Sequence, residues 1–149
     1  MSLVNFHAGA SAQIIGNSEL DAWMQTKFNR SLRLINGNLP VESIDPDHLP
    51  ALVCEIGDGE LDIQLGGERQ EVSGELAFAV VWHEDDRDQA FTQRTELLSL
   101  IVKAIGGDHT LSGNVDSAWV SSYSPDQNIL HPRHVFAFAV TGLFEEVPT

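Results

Sequence analysis

The sequence predicts an α+β fold: a two-layer sandwich with a mixed, mainly antiparallel sheet of about 4–5 strands and two helices packed on one face. Three stretches predict it. From Glu75 to Gly107 the chain reads as strand, acidic turn and helix. From Ser18 to Gly37 apolar residues recur at helical spacing. From His134 to Val147 an apolar alternation runs longer than any other. The expected order is α-β-β-β-α-β-β.

The central stretch carries the clearest signal. Leu76, Phe78, Val80 and Trp82 alternate with Ala77, Ala79, Val81 and His83, a period of two with both faces apolar. Glu84-Asp85-Asp86-Arg87-Asp88 cannot continue a buried strand. Ala90, Phe91, Arg94, Leu97, Leu98, Ile101, Val102 and Ile105 then fall on one helical stripe. Gly106-Gly107 is expected to stop the helix in a left-handed conformation.

Residues 1–17 show small side chains, two glycines and no clear period, which predicts a flexible N-terminal arm. Residues 18–149 form one α+β domain. Ser18 suits a helix N-cap, with Glu19 and Asp21 at the positive end of the helix dipole. Leu20, Trp23, Met24, Phe28, Leu32 and Ile35 give that helix its core-facing side. Leu39 to Pro50 is a connector with three prolines. Leu52, Cys54 and Ile56 mark a strand, Gly57-Asp58-Gly59 a tight turn, and Leu61, Ile63 and Leu65 a half-exposed strand. After the second helix come a turn-rich link, Asp108 to Gly113, and a strand from Val115 to Tyr123. That strand sets Trp119, Ser121 and Tyr123 on one face. The central and last strands are apolar on both sides, and two helices cover only one side. The other face is therefore expected to take a partner molecule.

The bulk properties restrict the partners. With 8 Lys and Arg against 22 Asp and Glu, the net charge of −14 opposes nucleic acid and anionic lipid. No direct nucleic-acid binding and no membrane span are expected, since no apolar run approaches membrane length. One cysteine, Cys54, excludes an intrachain disulfide, and the first residues lack a secretory signal.

No pattern for catalysis stands out. His83, Glu84, Asp85, Asp86 and Asp88 are the densest group of ligand types. Without a bend glycine or calcium-loop spacing they read as caps for the following helix. The six histidines form no HExxH pair, and His131 and His134 straddle Pro132. Cys54 in a buried strand reads as packing. Neither glycine pair leads from a strand into a helix, so neither cradles phosphate. The expectation is a non-enzyme without cofactor.

The segment from Leu20 to Val147 resembles the tail terminator, or tail completion, proteins of bacteriophages and prophages. The likeness rests on ordered pieces: Leu49-Pro50-Ala51-Leu52-Val53 leading into a strand, Phe78-Ala79-Val80-Val81-Trp82, and the Ala90–Ile105 helix. Asp108-His109-Thr110-Leu111-Ser112-Gly113 and the last strand, Phe136-Ala137-Phe138-Ala139-Val140, complete it. The resemblance implies a structural minor tail protein of the virion, assembled in the host bacterial cytoplasm. It implies a ring of identical subunits, commonly a hexamer, that caps the tail tube, ends its growth and presents a head-attachment surface. Its partners are then copies of itself, the tail-tube protein and a head-completion or connector protein. No catalytic residue transfers.

The stretch between Gly57 and Gly74 reads as a protrusion able to reach a neighbour. Leu61, Ile63, Leu65, Glu68 and Arg69 are its candidate contact residues. Two rivals stand beside this reading. One is another head–tail connector or neck protein. The other is a small-ligand or metal-binding domain built on the acidic turn from His83 to Asp88.

Overall fold

Strand Gln70–His83 and helix Arg87–Gly106 form the middle of the protein, with a bridge of three residues between them. The computed structural model describes residues 3–37, 40–63, 70–124 and 130–146. In chain order the elements are α1 (Leu3–Ile15), α2 (Ser18–Phe28), β1 (Arg33–Asn36), two 3₁₀ turns (Val41–Ser43 and Pro46–His48), β2 (Ala51–Ile63), β3 (Gln70–His83), α3 (Arg87–Gly106), β4 (Ser117–Ser124) and β5 (Arg133–Glu146). The strands form one sheet in the order β1-β2-β3-β5-β4. Among the described residues only the β1–β2 pair is parallel. The α+β fold is as the sequence predicts, with three helices where two were expected.

The extra helix replaces the expected N-terminal arm. Phe6, Ala10 and Ile14 recur every four residues on α1 and are fully buried. They share one core with Leu20 and Met24 of α2, Leu97, Ile101 and Ile105 of α3, and Leu76, Phe78, Val80 and Trp82 of β3. Fully burying one such side chain stabilises the fold by about 1.5–3 kcal/mol. A helix holding three fully buried apolar groups is therefore part of the domain.

The next helix is shorter than its apolar spacing suggests. Asn17, not Ser18, is the N-cap, and its Oδ1 accepts from the Leu20 N–H at 2.8 Å. Asn29 takes φ 58° and closes the C-terminus by donating to the Gln25 carbonyl. Asparagine tolerates this left-handed turn. Leu32 and Ile35 thus fall outside the helix, and Arg33–Asn36 becomes β1, in register with Ala51–Cys54.

Gly57-Asp58-Gly59 is a register shift inside one strand and not a hairpin turn. β2 runs through it, pairing Ile56 with Leu76 and then Gly59 with Gly74. A bulge inserts residues without ending a strand. Helix α3 ends where expected and starts earlier, at Arg87 instead of Ala90. Asp86 is the N-cap, accepting from the Asp88 and Gln89 N–H groups, and the helix ends at Gly106. Gly107 stays right-handed at φ −64°. The left-handed residues come later, at Leu111, Ser112 and Gly113.

The second sheet face is half covered. Val41, Ile44 and Leu49 from the connector pack on Ala51, Val53, Val81 and Val135. Arg133 fixes this cover by donating to the carbonyls of Val41 and Ile44, both at 2.8 Å. Beyond it, Ala77, Ala79 and Ala137 remain half-buried with no element packed over them among the described residues.

Candidate interaction edges

β4 is the last strand on one side of the sheet. It begins under the link that follows α3, where the Ala118 N–H donates to the His109 carbonyl at 2.7 Å. That link is held by Asp108, whose carboxylate accepts from Thr110 Oγ1 at 2.7 Å and from the Thr110 and Ser112 N–H groups. Chiefly the Thr110 hydroxyl, and then these amides, hold the Asp108 pKa below the ordinary carboxylate range. From Trp119 onward β4 pairs with β5 alone among the described residues.

A register shift between Val120 and Ser122 splits the aromatic residues of β4 between the two faces. Trp119 lies opposite Thr141 on the face away from the helices and is 42% exposed. Tyr123 lies opposite Phe138, on the helix side, 58% exposed and stacked on Phe136 at 6.3 Å. The expected grouping of Trp119, Ser121 and Tyr123 on one face is corrected by this bulge.

Helix α3 meets this edge with a second apolar stripe. Its core face is Ala90, Gln93, Leu97, Leu100, Ile101, Ala104 and Ile105. Phe91 and Val102 lie off that face, 65% and 48% exposed. Phe91, Arg94, Thr95 and Leu98 form one wall of a groove of about 290 Å³, with Tyr123 and Phe136 opposite. It continues past Leu98 and Tyr123 into a hollow bordered by Val102, Val120 and Ser122. The Arg94 guanidinium sits 5.9 Å from the Phe91 ring. The groove presents aromatic and aliphatic surface with one cation, beside strand backbone. Such an arrangement is suited to receiving an extended chain.

The opposite side of the sheet is also partly unpaired among the described residues. β1 covers only Ala51–Cys54 of β2. Glu55 to Ile63 therefore pairs with β3 alone among the described residues. Two of the candidate contact residues lie here, with Leu61 in register with Val72 and Ile63 with Gln70. Leu65, Glu68 and Arg69 lie outside the described residues.

The acidic turn is occupied by helix capping and a short network. Trp82 Nε1 donates to Gln93 Oε1 at 2.8 Å, and Gln93 Nε2 donates to Glu84 Oε1 at 2.8 Å. His83 Nε2 lies 3.1 Å from Asp85 Oδ1 on the surface. His134 is buried, with Nε2 at 2.9 Å from the Glu84 carbonyl and its ring 5.3 Å from that of His131. No three His, Cys, Asp or Glu side chains converge as a metal site among the described residues. Cys54 is buried in the core. A wide depression of about 650 Å³ lies between the ends of α1 and α3. Gln13 Nε2 spans its base, donating to the carbonyls of Ala104, Ile105 and Asp108.

Sequence reasoning placed its candidate contact residues at the β2–β3 excursion and did not single out the β4 edge, whose exposed aromatic groups the structure adds as a second candidate. The available signal was the width of the α3 stripe: Phe91, Arg94 and Val102 follow helical spacing beyond what the core uses. No helix among the described residues is long and apolar enough to cross a membrane. No protein-family model matches the chain, and the comparison with curated proteins gives no match.

Proposed function

We propose that this protein is a structural subunit that assembles with copies of itself and other proteins through its sheet edges. In the form its sequence resembles, it is a tail terminator of a bacteriophage or prophage. Such a subunit forms a ring on the tail tube, ends tube growth and offers a surface to the head-completion or connector protein. The role is non-enzymatic.

One observation supports this reading most: among the described residues the sheet has an unpaired edge on both sides, and β4 is flanked by exposed Trp119, Tyr123 and Phe91. Exposed aromatic groups gathered at a strand edge mark interaction surfaces. A head-to-tail contact between unlike edges closes into a ring when its rotation is right. A neck or connector role draws on the same edges.

Electron microscopy of the purified protein, alone and mixed with sheared tail tubes, tests the proposal. Rings, or caps at tube ends, are the expected result. The Ile63→Asp/Leu65→Asp double variant is expected to stay folded and lose them. Absence of rings and caps in every mixture overturns the proposal.

A further inference from the structure

Strand β1 ends in a chemically labile pair. Of the seven asparagines in the sequence, Asn36 alone is followed by glycine. Asn36 and Gly37 are both exposed. Gly37 takes φ +104°, and a Cβ built on it would meet nothing within 4 Å. Glycine has no side chain to keep its amide nitrogen away from the preceding carboxamide. Asn17 and Asn114, by contrast, have carboxamides hydrogen-bonded to backbone groups. An exposed asparagine before an unhindered glycine can deamidate through its own backbone.

In that reaction the Gly37 nitrogen loses its proton and bonds to Asn36 Cγ. The Cγ–Nδ2 bond breaks, the departing amide takes up a proton and leaves as ammonia, and a five-membered succinimide remains. Water then opens the ring at either carbonyl, which gives aspartate or isoaspartate at position 36. Nothing is oxidised or reduced, and water is the only co-reactant.

One contact opposes this chemistry in the folded chain. The Gly37 N–H donates to the Cys54 carbonyl at 2.9 Å. Attack on Cγ requires the nitrogen to give up that proton and the peptide to turn, so the bond must break first. The strand that holds it is short. β1 pairs with β2 over Arg33–Asn36 and with no other strand among the described residues.

We propose that Asn36–Gly37 is a self-modification site gated by β1, which deamidates when the strand lifts from β2. Isoaspartate lengthens the main chain by one carbon and adds a negative charge. Gly37 then loses its register with Cys54, and a transient opening becomes permanent.

Peptide mapping by mass spectrometry tests the proposal on the full-length protein incubated at mildly alkaline pH. The incubations run in native buffer, in a sub-denaturing guanidinium chloride series and in fully unfolding guanidinium chloride. In the unfolded chain Asn36 should be converted ahead of the other asparagines. In native buffer its conversion should be slower by about tenfold or more, because opening of the strand must precede attack. Through the sub-denaturing series the rate should rise before circular dichroism reports global unfolding, in step with hydrogen exchange of the Gly37 amide. Val53→Ala trims the residue opposite Ile35 and leaves the sequence around Asn36 intact. It should raise the native rate several-fold, and the wild-type series decides the matter if this variant does not fold. Equal rates in native buffer and in the unfolded chain overturn the restraint by the Cys54 carbonyl. Conversion that rises only with global unfolding overturns β1 as the gate.

Discussion

Phe6 of α1 lies against Gly142 of β5 so closely that a Cβ at position 142 would sit 2.8 Å from the Phe6 Cζ. The ring occupies the space a side chain would need, and it is fully buried there. Gly142→Ala should therefore destabilise the protein by about 1–3 kcal/mol through overpacking. Phe6→Ala should cost about 3–5 kcal/mol by leaving a cavity. Urea unfolding measures both. If both variants match the wild type, α1 does not pack on the sheet.

The buried indole of Trp82 depends on Gln93. Gln93→Leu keeps a similar size but removes the acceptor for Trp82 Nε1 and the donor to Glu84. An unpaired buried N–H costs about 1–3 kcal/mol. The expected result is a lower urea midpoint with an unchanged slope. An unchanged midpoint would refute the network's contribution.

The link after α3 carries a pH signature. Hydrogen bonds, first from the Thr110 hydroxyl, lower the Asp108 pKa in the folded state. A lowered folded-state pKa gives stability that is present above the unfolded-state value. That stability is lost as pH falls through the folded-state value. Wild type should therefore exceed Asp108→Asn in stability at neutral pH, and the gap should narrow on acidification below the ordinary carboxylate range. Melting temperatures across an acid pH series check the direction. A gap that widens in acid contradicts the assignment.

Association should depend on the α3–β4 groove. Tyr123→Asp and Phe91→Asp alter side chains that are more than half exposed, so the monomer fold should be kept. Each is expected to weaken self-association by about tenfold or more, as removal of an aromatic anchor does. Sedimentation velocity across a dilution series gives the comparison. Equal association by both variants would remove the groove from the interface.

The legible parts of the fold were those in which pattern and packing coincide. β3, the Asp86 cap and α3 follow from strict alternation, an acidic cap and a long stripe. α1 was hidden because Ala10 contributes little hydrophobic contrast, and Gly9 and Gly16 resemble loop residues. Only Phe6 and Ile14 signal its buried face. The end of α2 was hidden because Leu32 and Ile35 continue its spacing by coincidence, and Asn29 stops it through one backbone angle. The connector's role as a cover rests on tertiary contacts of Ile44, Leu49 and Arg133, which no local pattern announces. Both bulges were unreadable for a related reason. A glycine-bounded triplet in β2 reads equally well as a turn, and Ser121 gives no sign that it is an inserted residue.

That insertion limits how far the β4 margin can act as a template. A flat row of eight residues with no charge invites successive chains to add in register, the geometry of fibres. The kink at Ser121 bends the row partway along and leaves only short straight segments for an incoming backbone to follow. Growth along this margin is thereby curbed by the shape of the strand itself.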